Sequence, residues 1–141
     1  MNRIITKLSS INLMCKKKDG GPISPVDAYF LVEIKGLFTI ALLRFDKGRR
    51  EAYHTHAFNA LTWFLSGNLV EEDVDGSTYK YRRSWMPKKT PKERWHRIKA
   101  SQTSWCLTIR GPWTFFWKEY DPETKIITTL TSGREVLDIT K

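Results

Sequence analysis

The sequence holds only two cysteines, Cys15 and Cys106, among 141 residues. Two thiols make no disulfide framework of the kind that staples small secreted domains, and Cys106 stands in an apolar, strand-like run. Long apolar runs are also missing. The longest, around Leu37–Leu43, is strand-sized and far from the ~18 residues of a membrane span. The opening residues include Arg3 and Lys7 but no continuous apolar stretch and no small-residue cleavage site, so no secretory leader is expected. These absences predict a reducing, cytoplasmic home and no membrane partner. Acidic residues are few: 15 Asp and Glu face 24 Lys and Arg, giving a formal charge of +9 and a pI near 9.7. A surface of that sign favours anionic company or simply solubility. No Ser-His-Asp arrangement and no phosphate-cradling glycine loop is legible, which leaves common hydrolase and nucleotide-loop chemistries without a basis.

What is present is an aromatic-rich, globular composition. The apolar fraction is 40% and the aromatic fraction 13%, both too high for a disordered chain. The length suits one domain. Helical spacing survives only in Met1–Met14 (Ile4, Leu8, Ile11), readable as a short helix or an edge strand. It stops at Lys16-Lys17-Lys18-Asp19-Gly20-Gly21-Pro22. We therefore divide the chain into an N-terminal extension, 1–22, and a β domain, 23–141. Strands are expected at Ala28–Ile34, Leu37–Phe45, Ala60–Ser66, Leu69–Val74, Thr78–Met86, Trp95–Ala100, Thr103–Ile109, Trp113–Tyr120, Lys125–Leu130 and Glu135–Ile139. Their composition is β-branched and aromatic, and Gly67-Asn68 and Asp75-Gly76 are hairpin signals between them. Short strands with a turn every eight to twelve residues predict an antiparallel sandwich or barrel.

The chain has three histidines, His54, His56 and His96. In an extended segment, His54 and His56 project to the same side about 6–7 Å apart. Two imidazoles on one strand and a third from a distant one can make three corners of a metal site with open positions. Read without further context, the same pair also fits a solvated strand face. The wider spacing is more specific. Gly48, His54-Thr55-His56, Ala60 and Gly67 follow the first cupin motif, G-x5-H-x-H-x3-E-x6-G, and His96 falls where the second motif supplies its histidine. The sequence also resembles a group of small cupin-like proteins found in phages and some bacteria. The matching stretches are Leu43-Arg44-Phe45, His54–Phe58, Leu65-Ser66-Gly67 with Glu71-Glu72, His96-Arg97-Ile98, Trp105–Pro112 and Phe116-Trp117, spanning about residues 40–120.

The resemblance implies a double-stranded β-helix, an all-β jelly roll, with a metal at its centre held by His54, His56 and His96. It does not fix an activity, since this fold hosts oxygenases, isomerases and metal-free binding proteins. Two departures stand out. Ala60 replaces the motif glutamate, and Met86-Pro87-Lys88-Lys89-Thr90-Pro91 replaces the second motif's P-x-G turn. Three neutral imidazoles without a carboxylate favour a divalent transition metal, Zn, Fe or Ni, over Mg or Ca. Resemblance to the three-histidine thiol dioxygenases implies that the carboxylate is dispensable.

The stretch Arg82–Lys99 carries eight basic residues and one acid, with Trp85 and Trp95 between them. It is expected to form an anion-attracting mouth, or else a solvated basic loop over core tryptophans. Arg44, Tyr53, Trp63, Tyr81, Arg94 and Trp105 are the candidate ligand-binding side chains, and Glu51 is a candidate for orienting an imidazole. Two functions follow. The first is a metal site with oxygenase- or isomerase-like chemistry on a small anionic substrate. The second is a module sequestering a nucleotide or phosphorylated ligand, which in a phage setting would blunt a host defence signal. A homodimer is the family's usual assembly.

Overall fold

The computed structural model describes residues 11–141, in which there are fourteen strands and no helix. In chain order the first seven are β1 (Ile11–Lys18), β2 (Val26–Ile34), β3 (Phe38–Phe45), β4 (Gly48–Arg49), β5 (Tyr53–His54), β6 (Ala60–Ser66) and β7 (Leu69–Asp73). The remainder are β8 (Thr78–Tyr81), β9 (Lys88–Thr90), β10 (His96–Ala100), β11 (Ser104–Arg110), β12 (Phe116–Tyr120), β13 (Ile127–Thr131) and β14 (Val136–Thr140). One sheet runs β1-β2-β3-β11-β6-β9; the other runs β14-β13-β12-β5-β10-β7-β8, with β4 also on β10. The pairing is antiparallel, and strands remote in sequence, such as β3 with β11 and β5 with β10, are neighbours. This two-sheet roll is the all-β architecture expected from the turn spacing. The stretch expected as helix or edge strand lies partly outside the described residues. From Ile11 it is strand, paired with β2 from Ile11↔Ile34 to Lys18↔Asp27.

Period-two alternation selects the core. Ala41, Leu43 and Phe45 of β3 face inward with Val26, Ala28 and Phe30 of β2, Phe64 of β6 and Cys106 of β11. Leu69 and Ala100 close the cluster from the opposite sheet. Along β11 the inward column turns polar, from Cys106 to Thr108 to Arg110, while its partners on β3 run Leu43, Ala41, Thr39. The roll therefore has a dry end and a polar end, and the histidines lie at the polar one.

Gly67 makes the β6–β7 turn possible. Its φ is +90°, and an added Cβ would lie 2.2 Å from Ser104 Oγ and 2.6 Å from Ser104 Cα. Only glycine combines that left-handed backbone with so close an approach.

Candidate metal centre

His54 ends the two-residue strand β5, cross-strand from His96 on β10 and from Glu119 on β12. The following residues stay extended because both edges are tied down. The Thr55 N–H donates to the Lys118 carbonyl, the Lys118 N–H to Thr55 Oγ1, and the His56 N–H to the Lys92 carbonyl. The His-x-His pair thus projects to one side, as its spacing predicts. The ring centroids of His54, His56 and His96 lie 4.9–5.0 Å from one another. Each offers a nitrogen such that all three fall within 4.8 Å of one another. His56 Nε2 and His96 Nε2 are 2.8 Å apart, and they meet at an interior cavity of about 100 Å³.

The electrostatics of this cluster favour bare nitrogen lone pairs. Burial, then the neighbouring imidazole His96 and Arg110, push the His56 pKa down to about 3. Burial, then His56, hold His54 well below the ordinary histidine range. Both are therefore neutral at pH 7. His54 Nδ1 is buried and has no well-formed hydrogen bond, with the Ala52 backbone acting weakly on the ring. These features fit a transition metal: three imidazole nitrogens converge, and two of the rings are held neutral.

The third ring is oriented from behind. His96 Nδ1 donates to Glu71, a fully buried carboxylate on β7. That fixes the tautomer and leaves His96 Nε2 as an acceptor facing the cavity. Glu71 also takes a bond from Lys88, one of 2.8 Å from the Tyr81 hydroxyl, and lies 3.4 Å from Arg94. Burial raises its pKa, but the hydrogen bonds from His96 and Lys88 outweigh this and hold it at about 2. It is an anion throughout the physiological range. The imidazole-orienting carboxylate is thus Glu71, whereas the sequence suggested Glu51, which pairs with Arg49. The unusual Met86–Pro91 segment has a use here: its strand β9 pairs with β6 and delivers Lys88 to Glu71.

The missing motif glutamate also finds an explanation. Ala60 lines the cavity and pairs across the sheet with Arg110. Arg110 is almost fully buried and held by Asp19 through bonds of 2.7 and 3.3 Å. A small side chain at position 60 faces that guanidinium across the sheet, and besides Glu71 the cavity is lined by the carboxylate of Asp19 from the β1–β2 turn. Burial raises the Asp19 pKa and Arg110 more than offsets it, so Asp19 is ionised.

Comparison with known proteins agrees with this architecture. No protein-family model and no curated protein matches the sequence. Solved structures match in fold. A sugar phosphate isomerase from a cupin superfamily, from Silicibacter pomeroyi, superposes with a TM-score of 0.59 over 96% of this chain and 90% of its own, at 13% identity. The fold is that of the cupins. An RmlC-like cupin from Shewanella frigidimarina gives 0.55 over 70% of this chain and 84% of its own, at 15% identity. A putative sugar phosphate isomerase from Acidithiobacillus ferrooxidans gives 0.58 over 81% and 76%, at 17%. Within the cupin roll, the three histidines occupy one interior point, as the motif spacing implied.

The six candidate ligand-binding side chains stand elsewhere; none lines the cavity or the cleft over it. Arg44, Trp63 and Trp105 have the outward parity of the six-stranded sheet, because Leu43, Phe64 and Cys106 take the inward positions. Arg44 pairs with Asp27 and Asp46, and Trp105 stacks on Tyr29. Tyr53 precedes the inward-facing His54 and lies under the Arg97 guanidinium. Tyr81 stacks on Phe64 and, like Arg94, acts on the site only through Glu71.

The basic stretch is partly spent locally. Lys88, on β9 of the other sheet, pairs with Glu71 of β7, and Arg94 and Arg97 pair with Asp73 and Glu72 of the same strand. The basic mouth is formed by other residues. A cleft of about 400 Å³ shares His54 and His56 with the interior cavity and is walled by the β1–β2 turn, Arg110, Trp113, Trp117 and the turn at 132–134.

Proposed function

We propose that His54, His56 and His96 hold one divalent transition metal, and that the protein acts on a small anionic substrate entering through the cleft. The observation that carries this reading is the convergence of three imidazoles, His54 and His96 buried and His56 half-buried, with His54 and His56 held neutral. A three-nitrogen site of this kind supplies Lewis-acid or redox chemistry at open coordination positions when loaded. The protein's own contributions are distinct. Glu71 fixes the His96 tautomer, Arg110 and Arg50 place positive charge beside the cluster, and Phe58 and the β1–β2 turn limit access of water. Asp19 is the ionised carboxylate nearest in role to a base, held at one edge by Arg110. Cupin-fold neighbours named as sugar phosphate isomerases and an ectoine synthase support small polar substrates.

The test is elemental analysis of untagged protein before and after reconstitution with Zn, Fe(II) and Ni. About one equivalent is expected, with His54→Ala and His96→Ala falling below ~0.2 equivalents. Wild-type protein that stays below that level after reconstitution refutes the proposal.

A further inference from the structure

The cleft over the histidines has a definite charge and an unusual use of its aromatic rings. Its lining includes six cations, Lys17, Lys18, Lys35, Arg50, Arg110 and Arg134, but only two carboxylates, Asp19 and Glu33. A third carboxylate, Glu119, stands behind the wall and is shared by Arg50 and Arg134. Asp27 likewise stands behind the wall against Lys18, and cations still outnumber carboxylates by two. The two indoles of the cleft carry cations on their faces. Lys35 Nζ lies 4.6 Å over the Trp113 ring, and the Arg134 guanidinium 5.0 Å over that of Trp117. Phe58 is similarly engaged, with Arg110 at 4.6 Å. An aromatic ligand stacking on those faces must first displace a cation. The rings are therefore supports for charge and not platforms for a base.

Two further features mark the cleft as built. Gly20 and Gly21, both at left-handed φ, let the β1–β2 turn lie directly on guanidinium groups, Gly20 on Arg50 and Gly21 on Arg134. Asp19 in the same turn holds Arg110. Three consecutive residues thus fix three arginines before any ligand arrives, which lowers the ordering cost of binding. The Trp113 indole N–H is also buried without a partner.

We infer that this cleft binds a small, non-aromatic phosphomonoester, its dianionic head on Lys35 and Arg134 and its polar body directed toward the histidines. The inference rests on the metal-site reading only for that direction. A phosphomonoester carries ~1.5–2 negative charges at neutral pH and three acceptor oxygens, which matches an excess of fixed donors better than a single carboxylate does.

The experiment is calorimetric titration with ribose 5-phosphate, ribose, AMP, adenosine and inorganic phosphate, with metal content measured on the same samples. AMP is the matched control, since it adds a base to the same sugar and phosphate. Ribose 5-phosphate is expected to bind, ribose about 100-fold more weakly, and AMP no more tightly than ribose 5-phosphate. Lys35→Ala and Arg134→Ala should each weaken ribose 5-phosphate about tenfold, the loss of one charge-assisted contact. Tight AMP binding with measurable adenosine binding would overturn the inference and restore nucleotide sequestration. Absence of binding by any ester, equal binding of inorganic phosphate, or indifference to both substitutions would overturn it as well. Failure in protein that retains its metal removes this inference alone. Ester binding in protein that never takes up metal removes the metal reading alone.

Discussion

Glu71→Gln separates the two jobs that Glu71 does, and their sizes can be worked from its contacts. The carboxylate is fully buried, touches His96 Nδ1 and Lys88, and receives the Tyr81 hydroxyl. Glutamine keeps the shape and can still accept from His96 through its amide oxygen. It loses the charge, and its amide N–H groups face the other donors. Removing one partner of a buried ion pair costs about 3–5 kcal/mol. The lower end applies here, because Lys88 retains 16% side-chain exposure and burial already lowers its pKa, which lets it shed its proton. The metal-free variant should therefore lose about 3 kcal/mol in denaturant unfolding. Metal affinity should fall about 10–100-fold, since a neutral acceptor leaves His96 less basic and less firmly oriented. The double change Glu71→Gln with Lys88→Met removes the orphaned ammonium, so it should recover most of the stability and none of the affinity. Competition against a chromophoric chelator reads the affinity. A folded Glu71→Gln protein that binds metal within about twofold of wild type would refute the orienting role. Failure of Lys88→Met to restore stability would refute the ion-pair accounting.

Three other outcomes are expected. In chelator, stability should be complete above about pH 6.5 and decline as the pH falls, because unfolded histidines take up protons near that value while His56 is held at about 3 and His54 well below normal. Glu71, held at about 2 against an ordinary 4.5, adds a loss of the same sign below pH 4.5; a thermal midpoint flat from pH 7.5 to 4.5 would contradict the histidine shifts, and one with no further fall below pH 4.5 would contradict that of Glu71. Gly67→Ala should cost at least ~2 kcal/mol more than Gly76→Ala, since both have φ +90° but only Gly67 would press a Cβ onto Ser104; equal costs would show that the turn yields. A thiol reagent should label one cysteine in native protein and two in denaturant, because Cys106 is fully buried with its pKa pushed up to about 12 whereas Cys15 is half-buried; two fast-reacting native thiols would contradict the packing of β11.

The strands and the histidine constellation are legible in the sequence for local reasons. Glycine-marked turns and period-two alternation define β6 as Ala60–Ser66 without error, and Gly67 and Gly76 adopt the positive φ that hairpin signals require. Strands β4, β5 and β9 have two or three residues, too few for any periodicity to register. Thr78–Met86 is read too long, because the strand stops at Tyr81. The harder failure concerns charge. Arg82–Lys99 looks like a basic mouth only while its neighbour is unknown. Once β10 pairs with β7, Arg97 stands opposite Glu72 and Arg94 reaches Asp73, so part of the excess is paired across the strands. The cleft over the histidines draws its cations from Lys17 to Arg134, and nothing short of the fold brings them together. Glu71 is visible as half of an acidic pair, but only the strand register reveals which of the two is buried against His96.

The β1–β2 turn lies outside the stretch whose sequence resembles small cupins, yet it supplies one wall of the cleft and the carboxylate beside Arg110. Floor and wall are therefore encoded separately, and they can be exchanged separately. Grafting a different first hairpin onto this roll would alter what the pocket admits while the histidine triad stays in place. Trimming the chain back to residue 23 would remove that wall and leave the buried Arg110 without Asp19.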